Sequence, residues 1–207
     1  MQTKKLYKYK SLSDIEPVLD IILNKWLYCS DVSKLNDIRE GSMSVNPYIQ
    51  RGIMWNYPDD IQTEVSKFKV CSLSTILHHH LMWAHYADGY KGLVIEVEID
   101  ECDFDYVLYS NEAIKCEELK SSNNIEINAK RVLTTKFKDW EYEKEARIIQ
   151  KQRFFDLKYP ISKVIVGPRT SPLIVSVLKS ICVKEDIILE KMVISDTGTI
   201  CIDLDQV

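Results

Sequence analysis

The chain has little of several features that would assign it to a class. None of the apolar stretches in its 207 residues approaches the roughly 18 to 20 residues of a membrane-spanning helix. The start, "MQTKKLYKYK", lacks the apolar core of a signal peptide. A net charge of −4 argues against a strongly basic nucleic-acid-binding domain. These absences predict a cytoplasmic protein that does not enter a membrane.

The six cysteines lack the spacing of a metal site. None belongs to a C-x-x-C pair, and they are scattered through segments typical of core or strand. We therefore expect reduced, mostly buried thiols and no cysteine-bound zinc. The chain also has no G-x-S-x-G elbow and no Walker lysine, so neither an α/β-hydrolase nor a P-loop enzyme is indicated.

Alternating segments outnumber helical ones. "KKLYKYKSL" at 4–12 and "LVIEVEID" at 93–100 have the period of two that is typical of strands. No β-α-β rhythm persists along the chain. The prediction is a single α+β domain over residues 1–207, with a mixed, mostly antiparallel sheet flanked by helices.

Helices are expected at several places, among them a helix that ends near Trp140 and one over "SPLIVSVLKSIC" with Pro172 in its first turn. Ser13 with Glu16 has the spacing of a capping box that opens the first helix. Residues 43–66 are weakly patterned and are expected to contain one irregular helix. A third helix is predicted from about Ser74 to Asp88.

All four histidines lie in one segment, "TILHHHLMWAHYADGYKG" at 75–92. His78, His79 and His80 are consecutive, and on a helix they would diverge by about 100° per residue. They therefore cannot bind one ion together, since helical ligands need a spacing of three or four. His85 has no second histidine one turn away. We predict a solvent-facing triplet and no metal.

Three glutamates are spaced by two in "KFKDWEYEKEARII" at 136–149. If the segment is extended, Glu141, Glu143 and Glu145 share one face, and Arg147 continues it. Clustered carboxylates raise one another's pKa and need cationic partners. A surface edge strand would explain the pattern equally well. Carboxylates at the mouth of a sheet could also stabilise a cationic transition state.

Four stretches together resemble a known family. They are "LYKYKS" at 6–11, "SKLND" at 33–37, "LMWAHYADGYKGLVIE" at 81–96 and "WEYEKEARII" at 140–149. Their combination and order resemble the bacterial family called domain of unknown function 2971, whose members are often associated with phage defence. The order of elements also resembles ADP-ribosyltransferase-like folds, in which NAD lies in a cleft of a split sheet.

The second resemblance implies an enzyme that cleaves NAD and transfers ADP-ribose to nucleic acid or protein, or simply hydrolyses NAD, as a toxin or defence effector. It implies catalytic roles for Glu145, Glu143, His85 and Tyr86. Glu145 would hold the ribose and offset the charge of an oxocarbenium-like state, and Tyr86 would stack on nicotinamide. The implied ligand-binding residues are Lys8, Tyr9, Lys10, Asn36, Asp37, Ser74, Lys91 and Arg147. NAD is then the substrate, and no metal is expected.

Two other functions stay open at this stage. A non-catalytic sensor or binding domain would have a shallow site, with Glu143 and Glu145 salt-bridged to Arg147 or to lysines. A metal-dependent nuclease would use His85, Asp88 and the glutamates. The sequence determines neither the target molecule nor the oligomeric state. Convergence of His85, Tyr86 and Glu145 on one cleft would favour the enzyme.

Overall fold

A computed structural model describes residues 2–37, 39–44, 57–119 and 124–203. The strands are β1 (Thr3–Lys10), β2 (Trp26–Tyr28), β3 (Ser30–Asp31), β4 (Lys69–Ser74), β5 (Leu93–Asp100), β6 (Asp105–Tyr106), β7 (Leu108–Ser110), β8 (Thr135–Phe137), β9 (Glu145–Gln150), β10 (Phe154–Asp156), β11 (Lys163–Val166), β12 (Ile188–Ile194) and β13 (Ile200–Asp203). The α-helices are α1 (Glu16–Asn24), α2 (Tyr57–Lys67), α3 (His80–Tyr86), α4 (Cys116–Leu119), α5 (Ile125–Leu133) and α6 (Pro172–Lys184), and Val32–Lys34 and Lys138–Glu143 are 3₁₀ helices. Within these ranges no helix is long and apolar enough to cross a membrane.

Nine strands form one sheet in the order β13-β12-β11-β5-β1-β4-β9-β6, with β3 beside β4. Among the described strands of this sheet, β11 and β12 run parallel and the other pairs are antiparallel. Two further pairs, β2 with β10 and β7 with β8, lie outside it. The predicted α+β class with a mixed, mostly antiparallel sheet is confirmed.

The sheet is weakly joined between its two central strands. β1 pairs with β5 over all eight of its residues, and β4 pairs with β9 over all six of its own. Between β1 and β4, by contrast, the register contains one pair, Tyr7 with Ser74. The sheet therefore divides here into two halves.

One face of the sheet is covered by α1 and α6. Val18 and Ile22 of α1 and Leu178 of α6 pack with inward-facing residues of β5 such as Ile95 and Val97. Burying each such side chain stabilises the fold by roughly 1.5–3 kcal/mol. This apolar layer extends across both halves of the sheet.

The opposite face carries two separate cores. On the β1–β5 half, α3 places Trp83 and Met82 against Tyr9. On the β4–β9 half, α2 and α5 place Ile61 and Val132 against the strands. The division of the sheet thus coincides with a division of the packing, and the space between the two cores becomes a pocket.

Two helices, α1 and α2, begin at other residues than the sequence predicts. α1 begins at Glu16 with Ile15 as its N-cap and with no capping side chain. The capping box was wrong because the Ser13 hydroxyl pairs with that of Ser11, 2.7 Å away. Pro17 in the first turn needs no N–H partner there. The expected irregular helix of 43–66 is supplied by α2, and residues 45–56 lie outside the described residues.

The histidine-bearing helix is shorter than the predicted Ser74–Asp88. α3 spans only His80–Tyr86, because the preceding residues are held by bonds to other parts of the chain. The N–H of Thr75 donates to the Lys144 carbonyl at 2.9 Å. The Tyr9 hydroxyl donates to the backbone carbonyls of Ile76 and Leu77, at 3.0 and 2.9 Å. Each of these bonds draws the backbone away from helical pairing.

Candidate functional site

A pocket of about 230 Å³ opens where the sheet divides. Its lining comes from β1 (Tyr7, Lys8, Tyr9), β4 (Val70, Ser72, Leu73, Ser74), α3 (Met82, Tyr86), the 30–36 segment (Ser30, Lys34, Leu35, Asn36) and three charged residues (Lys136, Glu143, Glu145). Typical small-molecule sites have ~300–1,000 Å³. This pocket would therefore enclose one end of a larger ligand and leave the rest outside.

The two deepest carboxylates reach the pocket through a turn. The expected extended segment with Glu141, Glu143 and Glu145 on one face was wrong, because Lys138–Glu143 is a 3₁₀ helix. Lys144 has a left-handed backbone with φ of 45° and turns the chain into β9. Glu141 is left outside, 3.2 Å from Lys144 Nζ, while Glu143 and Glu145 are buried.

A buried lysine stands between the carboxylates. Lys136 Nζ lies 2.6 Å from Glu143 Oε2, 3.1 Å from Glu145 Oε2 and 2.9 Å from Glu40 Oε1. Burial by itself would lower the pKa of Lys136, but these carboxylates outweigh burial and raise it. The ammonium therefore stays charged inside the protein.

Arg147 binds the Glu145 carboxylate from the buried side, away from the pocket. Its Nε and Nη2 donate to the two carboxylate oxygens of Glu145, at 2.7 and 2.9 Å. Nη2 also donates to Glu40 Oε1 at 2.7 Å, and Nη1 donates to the Leu133 carbonyl at 2.6 Å. The guanidinium is fully buried and does not line the pocket. Its place is that of a positioning residue, since two parallel bonds fix the orientation of a carboxylate.

The network makes the two glutamates electrostatically different. Among the described residues its three carboxylates face two cations, which leaves one negative charge without a cationic partner. Burial raises the pKa of Glu143 above its usual value, despite Lys136. Burial acts on Glu145 in the same direction, but Arg147 and Lys136 outweigh it and lower its pKa to about 2. Glu145 is thus a permanent carboxylate, and Glu143 is the one that more readily takes a proton.

Tyr86 connects the histidine-bearing helix to this network. Its hydroxyl donates to Glu143 Oε1, and Asn36 Nδ2 donates to the same hydroxyl at 2.6 Å. Burial and the neighbouring Glu143 carboxylate raise the pKa of Tyr86, so the phenol stays protonated. The segments "SKLND", "HYADG" and "EYEKE" therefore meet at one hydrogen-bonded chain.

His85 is not part of the pocket. It points to the outer side of α3, where its Nδ1 lies 3.4 Å from the Tyr142 hydroxyl. Of the three residues whose convergence was to favour an enzyme, Tyr86 and Glu145 line one pocket and His85 does not.

The histidine triplet has mixed surroundings. His78 is exposed, as expected. His79 stacks on Tyr142 with a ring distance of 5.6 Å. His80 is also exposed but has two partners: Nδ1 lies 2.9 Å from the Tyr90 hydroxyl, and Nε2 lies 2.8 Å from a backbone carbonyl of the 195–199 turn. The triplet attaches α3 to its surroundings.

The first strand presents one of its lysines to the pocket. Lys8 lines it and donates to the Ser72 carbonyl at 2.8 Å, across the division of the sheet. Tyr9 lines it too, but its hydroxyl is already bonded to two carbonyls. Lys10 is not part of the lining, and burial together with Lys8 lowers its pKa to about 8.

Three other predicted ligand-binding residues make hydrogen bonds to other groups of the protein. Ser74 is in the pocket wall, and its hydroxyl donates to the Glu143 carbonyl at 2.6 Å. Asp37 lies outside the lining and accepts from the backbone N–H two residues later at 3.0 Å, as in an Asx turn. Lys91 is also outside, and its carbonyl accepts from the Thr170 hydroxyl at 2.9 Å.

Sequence reasoning missed several residues of the site. Lys136 precedes Glu145 by nine residues, and nothing in its spacing marks it as buried. Glu40 lies in a polar loop with no local pattern. Lys34 is within "SKLND", so that motif could have indicated it. Ser72 lies in β4, outside the four motifs.

Carboxylates and a thiol come together at a second place. Asp100, Cys102 and Asp103 are close enough to share one ion among the described residues. Lys158 Nζ already lies 2.7 Å from Asp100 and 2.6 Å from Asp103. This group includes neither His85 nor the glutamates of the pocket.

Comparison with known proteins gives no match to a family model, a curated protein or a solved structure. The resemblance of the four motifs to the domain of unknown function 2971 family therefore stays a prediction from the sequence.

Proposed function

We propose that this chain is an ADP-ribosyltransferase-like enzyme that binds NAD where the sheet divides and cleaves its nicotinamide–ribose bond. The observation that carries the proposal is the pair of glutamates in the pocket: Glu145 is kept ionised, and Glu143 is poised to exchange a proton. Environments that push the pKa values of two neighbouring carboxyls apart are characteristic of sites that need both forms.

The chemistry needs a fixed negative charge. As the bond from ribose C1′ to nicotinamide breaks, the electron pair leaves with nicotinamide and positive charge develops on the sugar. Glu145 would stabilise that charge without reorganising, because Arg147 already fixes its orientation. Glu143 and Tyr86 would bind a ribose hydroxyl in place of the bond they now make to each other. Water, or a nucleophile of nucleic acid or protein, would then take the ADP-ribosyl group.

Two cations of the pocket lining suit the diphosphate. Lys34 lines the pocket with its side chain 64% exposed, and its ion pair with Asp31 is long at 4.0 Å. Lys8 supplies a second ammonium at the lining. The small volume would enclose the nicotinamide–ribose end and leave the adenosine end along the surface.

The test is release of labelled nicotinamide from NAD, with DNA, RNA or bacterial lysate as acceptor. Glu145→Gln keeps the shape of the side chain and removes its charge, so the rate should fall by about 10²–10³. Glu141→Gln is the matched control, because this glutamate lies in the same segment but outside the pocket, and its rate should be unchanged. If the wild type consumes no NAD with any acceptor, the proposal fails.

A non-catalytic nucleotide-binding domain is the second candidate. It is favoured by the ion pairs that already engage both glutamates, with Lys136 and with Arg147. Such a domain, for example a sensor in phage defence, would bind ADP-ribose without releasing nicotinamide from NAD. Calorimetric titration with ADP-ribose, run beside the turnover assay, separates the two candidates.

A further inference from the structure

Two cysteines lie opposite each other on neighbouring strands. β3 and β4 pair Ser30 with Val70, so the next position along the antiparallel ladder brings Cys29 opposite Cys71. The Cys29 N–H donates away from β4, to the Arg153 carbonyl at 2.7 Å. Cys29 and Cys71 are therefore a non-hydrogen-bonded pair, the class with Cα atoms ~4.5 Å apart and the closest side chains. That separation is within the range that a disulfide can bridge, ~4.4–6.8 Å.

The two thiols already interact. Both are buried in the same core, and each thiol shifts the pKa of the other. Lys8 Nζ lies 3.6 Å from Cys71 Sγ, and Gln150 Nε2 lies 3.6 Å from Cys29 Sγ. The neighbouring Cys29 thiol, helped by Lys8 and Lys10, lowers the pKa of Cys71 to about 6. One thiol thus has thiolate character, and the other stays protonated beside it.

The pair is also close to a route from solvent. Ser30, Val70 and Ser72 are the chain neighbours of the two cysteines, and all three line the pocket. The thiols themselves belong to the core on the α1 and α6 side of the sheet. Lys8, which lines the pocket and contacts Cys71, marks the gap between β1 and β4 through which a small molecule would reach them.

We propose that Cys29 and Cys71 form a redox-active pair that a hydroperoxide converts into a reversible disulfide. The Cys71 thiolate attacks the peroxide, and the O–O bond breaks to give a sulfenic acid on Cys71 and, with a proton, water or an alcohol. The Cys29 thiol then attacks that sulfur, and the sulfenic hydroxyl leaves as water with the thiol proton while the disulfide forms. The two-electron oxidation of the thiols balances the reduction of the peroxide. The modification does not depend on the proposed function.

The test uses a chain in which the two exposed cysteines are replaced, Cys102→Ser with Cys201→Ser. After hydrogen peroxide treatment, denaturing alkylation and mass spectrometry should show a Cys29–Cys71 cross-linked peptide, removed by dithiothreitol. Cys116 and Cys182, which are buried elsewhere in the fold, should remain reduced and be alkylated after denaturation. The proposal is overturned if both cysteines of the pair remain free at peroxide doses that oxidise Cys102 in the wild type.

Two variants test the mechanism. In Cys29→Ser no resolving thiol is present, so Cys71 should accumulate as a sulfenic acid that a dimedone probe traps. Lys8→Met keeps both thiols and removes the ammonium, so disulfide formation should slow by about tenfold as the thiolate fraction falls. An unchanged rate in Lys8→Met would contradict the role of Lys8. The cross-link in the chain with both thiols decides the proposal even if a variant folds poorly.

Discussion

Glu143 and Glu145 share the ammonium of Lys136, whose Nζ lies 2.6 and 3.1 Å from their Oε2 atoms. Both carboxylates are buried, and each has a further donor of its own: Tyr86 for Glu143 and Arg147 for Glu145. Since buried charges are costly unless they are paired, the five groups depend on one another.

Removing the shared cation should therefore be strongly destabilising. Lys136→Met keeps much of the length of the side chain but leaves Glu40, Glu143 and Glu145 with Arg147 as their remaining cation among the described residues. The free energy of unfolding should fall by about 3–5 kcal/mol, the usual loss when one partner of a buried ion pair is removed. Urea unfolding measures it.

The matched control for that variant is Lys144→Met. Lys144 is an exposed lysine of the same segment that pairs with Glu141 at 3.2 Å, so its loss should change stability by less than ~0.5 kcal/mol. Equal effects of Lys136→Met and Lys144→Met would show that the network contributes little.

The pH dependence of stability should carry a signature of Glu143. Burial raises its pKa in the folded protein above the unfolded value of ~4.3. The native state then holds this proton more tightly, so the contribution of Glu143 to stability is full below ~4.3 and falls as pH rises through the raised pKa. Glu143→Gln should remove this dependence, which thermal melts of both proteins between pH 4 and 8 would show as diverging curves.

Glu145 should act in the opposite direction and in a different window. With its pKa lowered to about 2, its ion pairs stabilise the fold above the unfolded value of ~4.3 and are lost as pH falls towards 2. We therefore expect the melting temperature to fall between pH 4 and 2 in the Glu143→Gln variant as well as in the wild type. A wild type and variant with parallel melting profiles above pH 4 would contradict the assignment of Glu143.

Sequence periodicity predicted the sheet better than it predicted the site. Alternation in β1 and β5 identified two central strands, although β5 is buried on both faces and its Glu96 and Asp100 are paired with lysines. The convergence of Glu143 and Glu145 had another cause than the predicted one. It depends on the left-handed backbone conformation of Lys144, which the presence of a lysine in the sequence does not predict. Lys136 could not be predicted as buried, because its burial depends on a carboxylate almost a hundred residues earlier, that of Glu40.

The hydroxyl of Tyr86 should contribute to stability through Glu143. Tyr86→Phe keeps the ring and removes both the donor to Glu143 and the acceptor for Asn36. Leaving a buried carboxylate short of one donor should cost about 1–3 kcal/mol. It should also raise the pKa of Glu143 further, since that bond now lowers it. Urea unfolding at pH 5 and 8 measures both effects.

Tyr106→Phe is the comparison for Tyr86→Phe. Tyr106 is 51% exposed and lies outside the pocket, so the loss of its hydroxyl should change stability by less than ~0.5 kcal/mol. If Tyr86→Phe is as stable as the wild type at both pH values, the tyrosine acts only by packing.

The two glycines of "DGYKG" should tolerate alanine differently, although the motif joins them in sequence. A Cβ on Gly92 would lie 2.2 Å from the Lys10 carbonyl oxygen and 2.8 Å from Ala87 Cα, both backbone atoms that cannot yield cheaply. A Cβ on Gly89 would meet nothing within 4 Å, but its φ of +57° is left-handed. Gly89→Ala should therefore cost about 1–2 kcal/mol. Gly92→Ala should cost about 3 kcal/mol or more, because overpacking here moves β1 against α3. Urea unfolding of the two variants measures which loss of stability is larger. A larger loss for Gly89→Ala would contradict the role assigned to Gly92, which is to let β1 approach α3 closely.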